Sequence, residues 1–168
     1  MMIEGGSTSV VQEFTKNSEI QLKKEEESLQ DKKEIAKQIP GSLDKTPGWN
    51  SDPVSETDRF VNDAFIANQE GKIGRMKDAI GVLQRGQTIV AENGEVSKRK
   101  FGDIVWGYMT QFPDTDGSIV QESLNVMLVP SALVGEGSFK VEINKEETEL
   151  VVVSPHSDIG KRVIESSL

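Results

Sequence analysis

Ser51-Asp52-Pro53-Val54-Ser55-Glu56-Thr57-Asp58 opens a run that continues through Glu70-Gly71-Lys72-Ile73 to Leu83, and its reading decides the fold. Ser55 followed by Asp58 has the spacing of a capping box, with Glu56 in the first turn facing the positive end of the helix dipole. The run therefore predicts a helix from about Ser55 to Gln84. Ile66, Ile73, Met76, Ile80 and Leu83 recur at seven, three, four and three, an apolar stripe on one face. Gly71, Gly74 and Gly81 weaken it by up to ~1 kcal/mol each relative to Ala. They either admit a close partner or are merely tolerated.

Upstream, Pro40-Gly41, Pro47-Gly48 and Pro53 mark a connection, with Trp49 inside it. Before that connection, 9–39 is charge-rich and free of proline and glycine. Leu22, Leu29 and Ala36 recur at seven, with Ile35 and Ile39 near the same stripe. So narrow a stripe suits a two-helix seam better than a globular core. Two helices of about 30 residues joined by this connection make an antiparallel hairpin about 45 Å long. Acids at its turn serve either solubility or delivery into something cationic, such as a metal-bearing site in another protein.

After Gly86 the period changes. Thr88-Ile89-Val90, Gly102 to Trp106, Ser123 to Val129, Ser138 to Ile143 and Glu149 to Val153 read as short strands, with turns at Asn93-Gly94 and Asp116-Gly117. Ile159, Val163 and Ile164 predict a terminal helix over 158–166, with Asp158 as N-cap. Leu133, Val134 and Trp106 are expected in the core, His156 in a loop and Lys98-Arg99-Lys100 in a solvated turn. The fold class is α+β: a coiled-coil hairpin over 1–86 with an acidic tip near 44–58, then a small, mostly antiparallel β domain over 87–168.

Composition narrows the function. The 168 residues include no cysteine and one histidine, so thiolate sites, disulfides and paired imidazoles are excluded. Net charge is −9, with 15 acids against 12 bases over 1–86 and 13 against 7 over 87–168. Phosphate contacts need clustered Lys and Arg, so autonomous nucleic-acid binding is disfavoured. Binding a protein that itself holds nucleic acid is not. Neither a signal peptide nor an apolar run of ~20 residues is present, so a cytoplasmic protein, without a membrane, is expected. No nucleophile triad, phosphate-cradling glycine loop or metal-ligand spacing points to an enzyme acting alone.

Four patches, in order, resemble the Gre family of bacterial transcript-cleavage factors. Asp52 with Ser55-Glu56 is similar to that family's Asp-Leu-x-Glu-Asn tip. Glu70-Gly71-Lys72-Ile73 resembles its Glu-Gly-Arg-Ile. Phe101-Gly102-Asp103-Ile104-Val105 resembles Phe-Gly-Ala-Thr-Val. Val151-Val152-Val153-Ser154 through Ser157-Asp158-Ile159-Gly160-Lys161-Arg162-Val163-Ile164 resembles a strand leading into Ser-Pro-Ile-Gly-Lys-Ala-Leu-Ile. The resemblance spans roughly Ser9 to Ile164 and implies an FKBP-like second domain. It implies a monomer whose hairpin enters the secondary channel of RNA polymerase. There, Asp52 and Glu56 would help the polymerase hold a catalytic Mg2+ and hydrolyse a backtracked transcript near the RNA 3′ end. Asp58, Trp49 and Phe60 would contact the polymerase, and Lys98, Arg99 and Lys100 would face RNA. No cofactor is expected on the protein alone.

The chain departs from the family in four places. Glu56 follows Asp52 by four positions rather than three. Phe60 is the aromatic nearest the tip, where the family has a tyrosine. Asp158 replaces a proline. The family continues through two more strands beyond the position of Leu168, so the resemblance leaves open a second domain that is incomplete, trimmed or closed differently. These departures keep two alternatives open: a channel-binding protein that inhibits or modulates the polymerase without cleavage, and an unrelated adaptor.

Overall fold

A computed structural model describes residues 4–38 and 53–166, with backbone alone at 4–7, at 38 and at 53–58. It is α+β. Helix α1 runs Glu4–Gln38 and α2 runs Pro53–Gln84. Six strands follow: β1 (Thr88–Val90), β2 (Val96–Lys100), β3 (Ile104–Pro113), β4 (Ile119–Leu128), β5 (Ser138–Ile143) and β6 (Glu146–Val153), then helix α3 (Asp158–Glu165). The chain divides into two compact units, Glu19–Lys77 and Met1–Ser18 with Asp78–Leu168.

Several boundaries differ from expectation. Helix α1 begins at Glu4, ahead of position 9, where the charge-rich segment free of proline and glycine starts. Helix α2 begins at Pro53, so Ser55 lies inside the helix and the expected capping box does not mark its start. Proline suits the first helical position, where its missing N–H is not needed. At α3 the N-cap is Ser157 rather than Asp158: its hydroxyl accepts from the Gly160 N–H at 3.1 Å and donates to the Ser154 carbonyl at 2.7 Å. Asp158 sits in the first turn.

In Glu19–Lys77 the helices run antiparallel, because contacts from α1 move backward along α2: Glu25 meets Lys72, while Lys32 meets Gln69. The apolar seam is thin. Leu29, Ile73 and Met76 are buried, Leu22, Ala36 and Ile66 half-buried, and Ile35 is exposed rather than on the stripe.

The other unit holds the larger core. Strands β3-β4-β6-β5 form one sheet, and β1-β2 a separate antiparallel pair. The sheet is mixed: β4 and β6 run parallel over Val126–Leu128 against Val151–Val153, while both outer pairs are antiparallel. Ile89, Val126, Leu128, Val153, Val163 and Ile164 form the core, flanked by Phe101, Val105, Tyr108 and Ile159. Phe14 joins this unit by an edge-on contact with Phe139, ring centres 5.2 Å apart. Leu133 is buried as expected. Trp106 is not a core residue. It is 38% exposed, at a bulge where Trp106 and Gly107 oppose Asn125. Gly107 takes φ +63°, and its N–H donates to Asn125 Oδ1 at 3.1 Å.

Candidate functional site

The expected site is the connection between α1 and α2. Asp52 and Trp49 lie outside the described residues. Glu56 and Asp58 fall within α2 by backbone alone. The described residues that follow them expose large apolar side chains among polar ones: Phe60 is 76% exposed, Val61 and Phe65 are exposed with Arg59, Asn62 and Asp63, and Ile35 on α1 is exposed too. Phe65 is only partly free, since the Lys32 ammonium lies 4.2 Å from its ring centre. A depression of about 270 Å³ is lined by Lys32, Ile35, Ala36, Asn62, Phe65 and Ile66.

Beside the thin seam, polar contacts cross between the two helices. Lys33 pairs with Glu70, Lys72 Nζ lies 2.7 Å from Glu25 Oε1, and Lys77 Nζ lies 2.5 Å from Glu26 Oε1. Gln69 is the buried centre of this ladder. Its amide donates to the Glu25 carbonyl at 3.2 Å, and its oxygen accepts from Lys32 Nζ at 3.1 Å. Glu70-Gly71-Lys72-Ile73 thus acts as a brace: two residues reach across to α1 and Ile73 fills the seam. Periodicity could locate Ile73. Gln69 carries no sequence signal, because a polar residue on a charged helix reads as surface until its partners across the seam are known.

The glycines of α2 are tolerated rather than required. A methyl at Gly74 would meet nothing within 4 Å, and at Gly71 or Gly81 it would meet only the far end of an arginine.

Lys98-Arg99-Lys100 is not a turn. It is most of β2, with Lys100 opposite Thr88 on β1. Alternation along the strand places exposed Lys98 and Lys100 on one face and half-buried Arg99 on the other. The three cations therefore form no single patch. The Lys100 N–H donates to Asp103 Oδ2 at 2.8 Å, closing the step into β3.

A second polar cluster went unread in the sequence. Glu92, in the β1–β2 turn, lies 2.9 Å from Lys161 Nζ on α3 and 3.8 Å from His156 Nδ1. The Lys161 hydrogen bond and charge hold the Glu92 carboxyl below its ordinary range, and Glu92 raises Lys161 in return. These groups border a depression of about 240 Å³ floored by Val90, Ala91, Pro155 and Ile164. The signal was undetectable because the three residues lie up to 69 positions apart.

Among the described residues no group of three or more acidic or imidazole side chains is arranged to hold a metal, and no helix is long and apolar enough to cross a membrane. No protein-family model, curated protein or solved structure matches the chain.

Proposed function

We propose that this protein is a Gre-like transcription elongation factor. Its helical hairpin, a coiled coil in this reading, enters the secondary channel of RNA polymerase, and its tip acids assist cleavage of backtracked transcripts. The observation that carries the reading is the braced pair of long antiparallel helices, which joins at an acidic connection and precedes an α+β part in the order of the four resemblance patches. Within the helical unit, 19–38 of α1 and 53–77 of α2 correspond to about 30 and 38 Å of rise, which supports reach into a channel. Polar bracing at Gln69, Glu70 and Lys72 supports a stiff probe rather than a flexible tether. An FKBP-like second domain belongs to the same proposal.

In this reading Asp52 and Glu56 offer carboxylate oxygens to a Mg2+ shared with the polymerase; a hard cation prefers such donors, and it stabilises charge on the attacking oxygen. Phe60 offers an exposed aromatic contact to the channel wall. The protein stimulates the polymerase and is not an enzyme by itself.

The test is a transcript-cleavage assay on stalled, backtracked RNA polymerase in Mg2+. Shortened 3′ ends are expected with the wild-type protein. They should vanish with the Asp52→Ala/Glu56→Ala double variant while polymerase binding persists. Reduced elongation or channel competition without cleavage would make it a modulator, a reading favoured by Phe60 and the four-residue spacing of the acids. No effect and no binding would sink the polymerase reading and leave an adaptor.

A further inference from the structure

Strands β3 and β5 form the two edges of the main sheet, and they are built differently. Strand β5 has six residues and carries Lys140 and Glu142, with Lys140 Nζ 2.9 Å from Glu147 Oε1. Charges of this kind blunt an edge against further pairing. Strand β3 has ten residues, Ile-Val-Trp-Gly-Tyr-Met-Thr-Gln-Phe-Pro, and none is charged. Past the bulge, Tyr108 to Pro113 keeps unbroken register with Leu124 to Ile119, and no described strand pairs with the outer side. Before Val126, over Ile119–Asn125, β4 has β3 as its only partner among the described strands, so this part is a two-stranded ribbon. Such a ribbon is marginal alone and gains from a third strand. It also shows apolar side chains: Met109 is 57% exposed, and Ile119 and Val120 are exposed too.

Charge decides the occupant. From Phe101 to Phe139 the sequence contains Asp103, Asp114, Asp116, Glu122 and Glu136, with no Lys, Arg or His. Pairing β3 with β3 of a second copy would juxtapose two such acidic segments, on chains that each carry −9. A basic segment meets no such repulsion.

We propose that the outer edge of β3, over Tyr108–Pro113, is a docking site that takes an extended, lysine- or arginine-bearing segment of a partner protein as an added strand. Backbone N–H and C=O groups on the edge supply affinity whatever the partner's side chains. Met109 lies on one face and Glu122, paired with Thr110, on the other, so the two faces favour an apolar and basic alternation. Pro113, which lacks an N–H, ends the edge. The inference does not rest on the polymerase reading, since it uses no tip residue.

The experiment titrates the full chain with a fluorescein-labelled peptide alternating lysine with valine, and follows β3 amides by hydrogen exchange. Binding is expected to slow exchange at alternate amides of Tyr108–Phe112 and to weaken as salt rises. Met109→Lys and Gln111→Lys, both at exposed positions, should each weaken binding by about fivefold while the circular dichroism spectrum stays unchanged. An alternating glutamate–valine peptide should not bind. The proposal is overturned if the basic peptide fails to bind, if protection appears elsewhere and both variants bind as before, or if the acidic peptide binds equally well. It is equally overturned if the wild type sediments as a dimer with β3 amides already protected, because a second copy would then hold the edge.

Discussion

The two compact units solve the same problem, keeping chain segments together, with opposite materials. In the β unit, Val126, Met127, Leu128, Val129, Leu150 and Val163 are wholly shielded from water. Among the described residues of the helical unit the buried apolar side chains are Leu29, Ile73 and Met76, and the other cross-links are the hydrogen bonds of Gln69, the Lys32–Phe65 contact and ion pairs with one or both partners open to solvent. Apolar burial contributes roughly 1.5–3 kcal/mol per large side chain, whereas an exposed ion pair contributes about 0–1 kcal/mol. The helical unit is therefore the softer of the two. Its polar ladder fixes register and alignment more than it adds stability.

Glycine substitution sharpens the contrast, because the same added methyl should act with opposite sign in the two units. At Gly160, on α3, a Cβ would lie 1.9 Å from the Ser154 carbonyl oxygen, which already accepts from Ser157. Backbone cannot yield there without breaking the helix cap. Gly160→Ala should cost about 3 kcal/mol, read as a lower urea midpoint at constant slope. At Gly74 the methyl enters open space on a helix, so Gly74→Ala should raise stability by up to ~1 kcal/mol. Equal destabilisation by both substitutions would mean that Gly74 faces an occupant absent from this structure.

These glycines also show how far the sequence could be read. Helix periodicity located both long helices, and alternation located β1 and β5, since each signal is local. Strand β2 escaped because Lys98, Arg99 and Lys100 mask its alternation, and Ser97, not an apolar residue, takes the buried position. The parallel pairing of β4 with β6 was equally hidden, because register between distant strands leaves no local trace. The turn Asn144-Lys145 joins β5 to β6 with φ of 53° and 68°, a left-handed pair usually announced by glycine. Of the expected site, only Phe60 and the three basic residues can be compared with described side chains, and the comparison split the basic run across two faces.

Salt should separate the units by a smaller margin. Screening weakens the pairs of Lys33, Lys72 and Lys77 with their α1 partners and leaves the apolar core of the β unit intact. In 1 M salt, amides in 19–38 and 59–77 should exchange faster, by an amount equivalent to about 0.5 kcal/mol per pair, while those of Val126–Leu128 hold. Uniform acceleration in both units would show that they open together, and would remove the distinction drawn from burial.

The smallest expected effect lies within the β unit, where a polar contact does the joining. Glu92 and Lys161 tie the β1–β2 turn to α3 at 2.9 Å, both groups in contact with water. Folding lowers the Glu92 carboxyl below its ordinary 4.5, so its contribution is present above that value and is lost as pH falls through the lowered one. Folding raises Lys161 above its ordinary 10.5, so that contribution is complete below 10.5 and is lost as pH rises through the raised value. Between those limits the pair is fully charged. Glu92→Gln should therefore flatten the acid-side slope of stability without altering the neutral plateau much, because solvent screens the pair. Comparing the variant with Lys161→Met by chemical denaturation across pH checks it. Matching loss of the acid-side slope in both assigns the slope to this contact, whereas an unchanged slope in either leaves the β1–β2 turn held by Ile89 and its apolar neighbours alone.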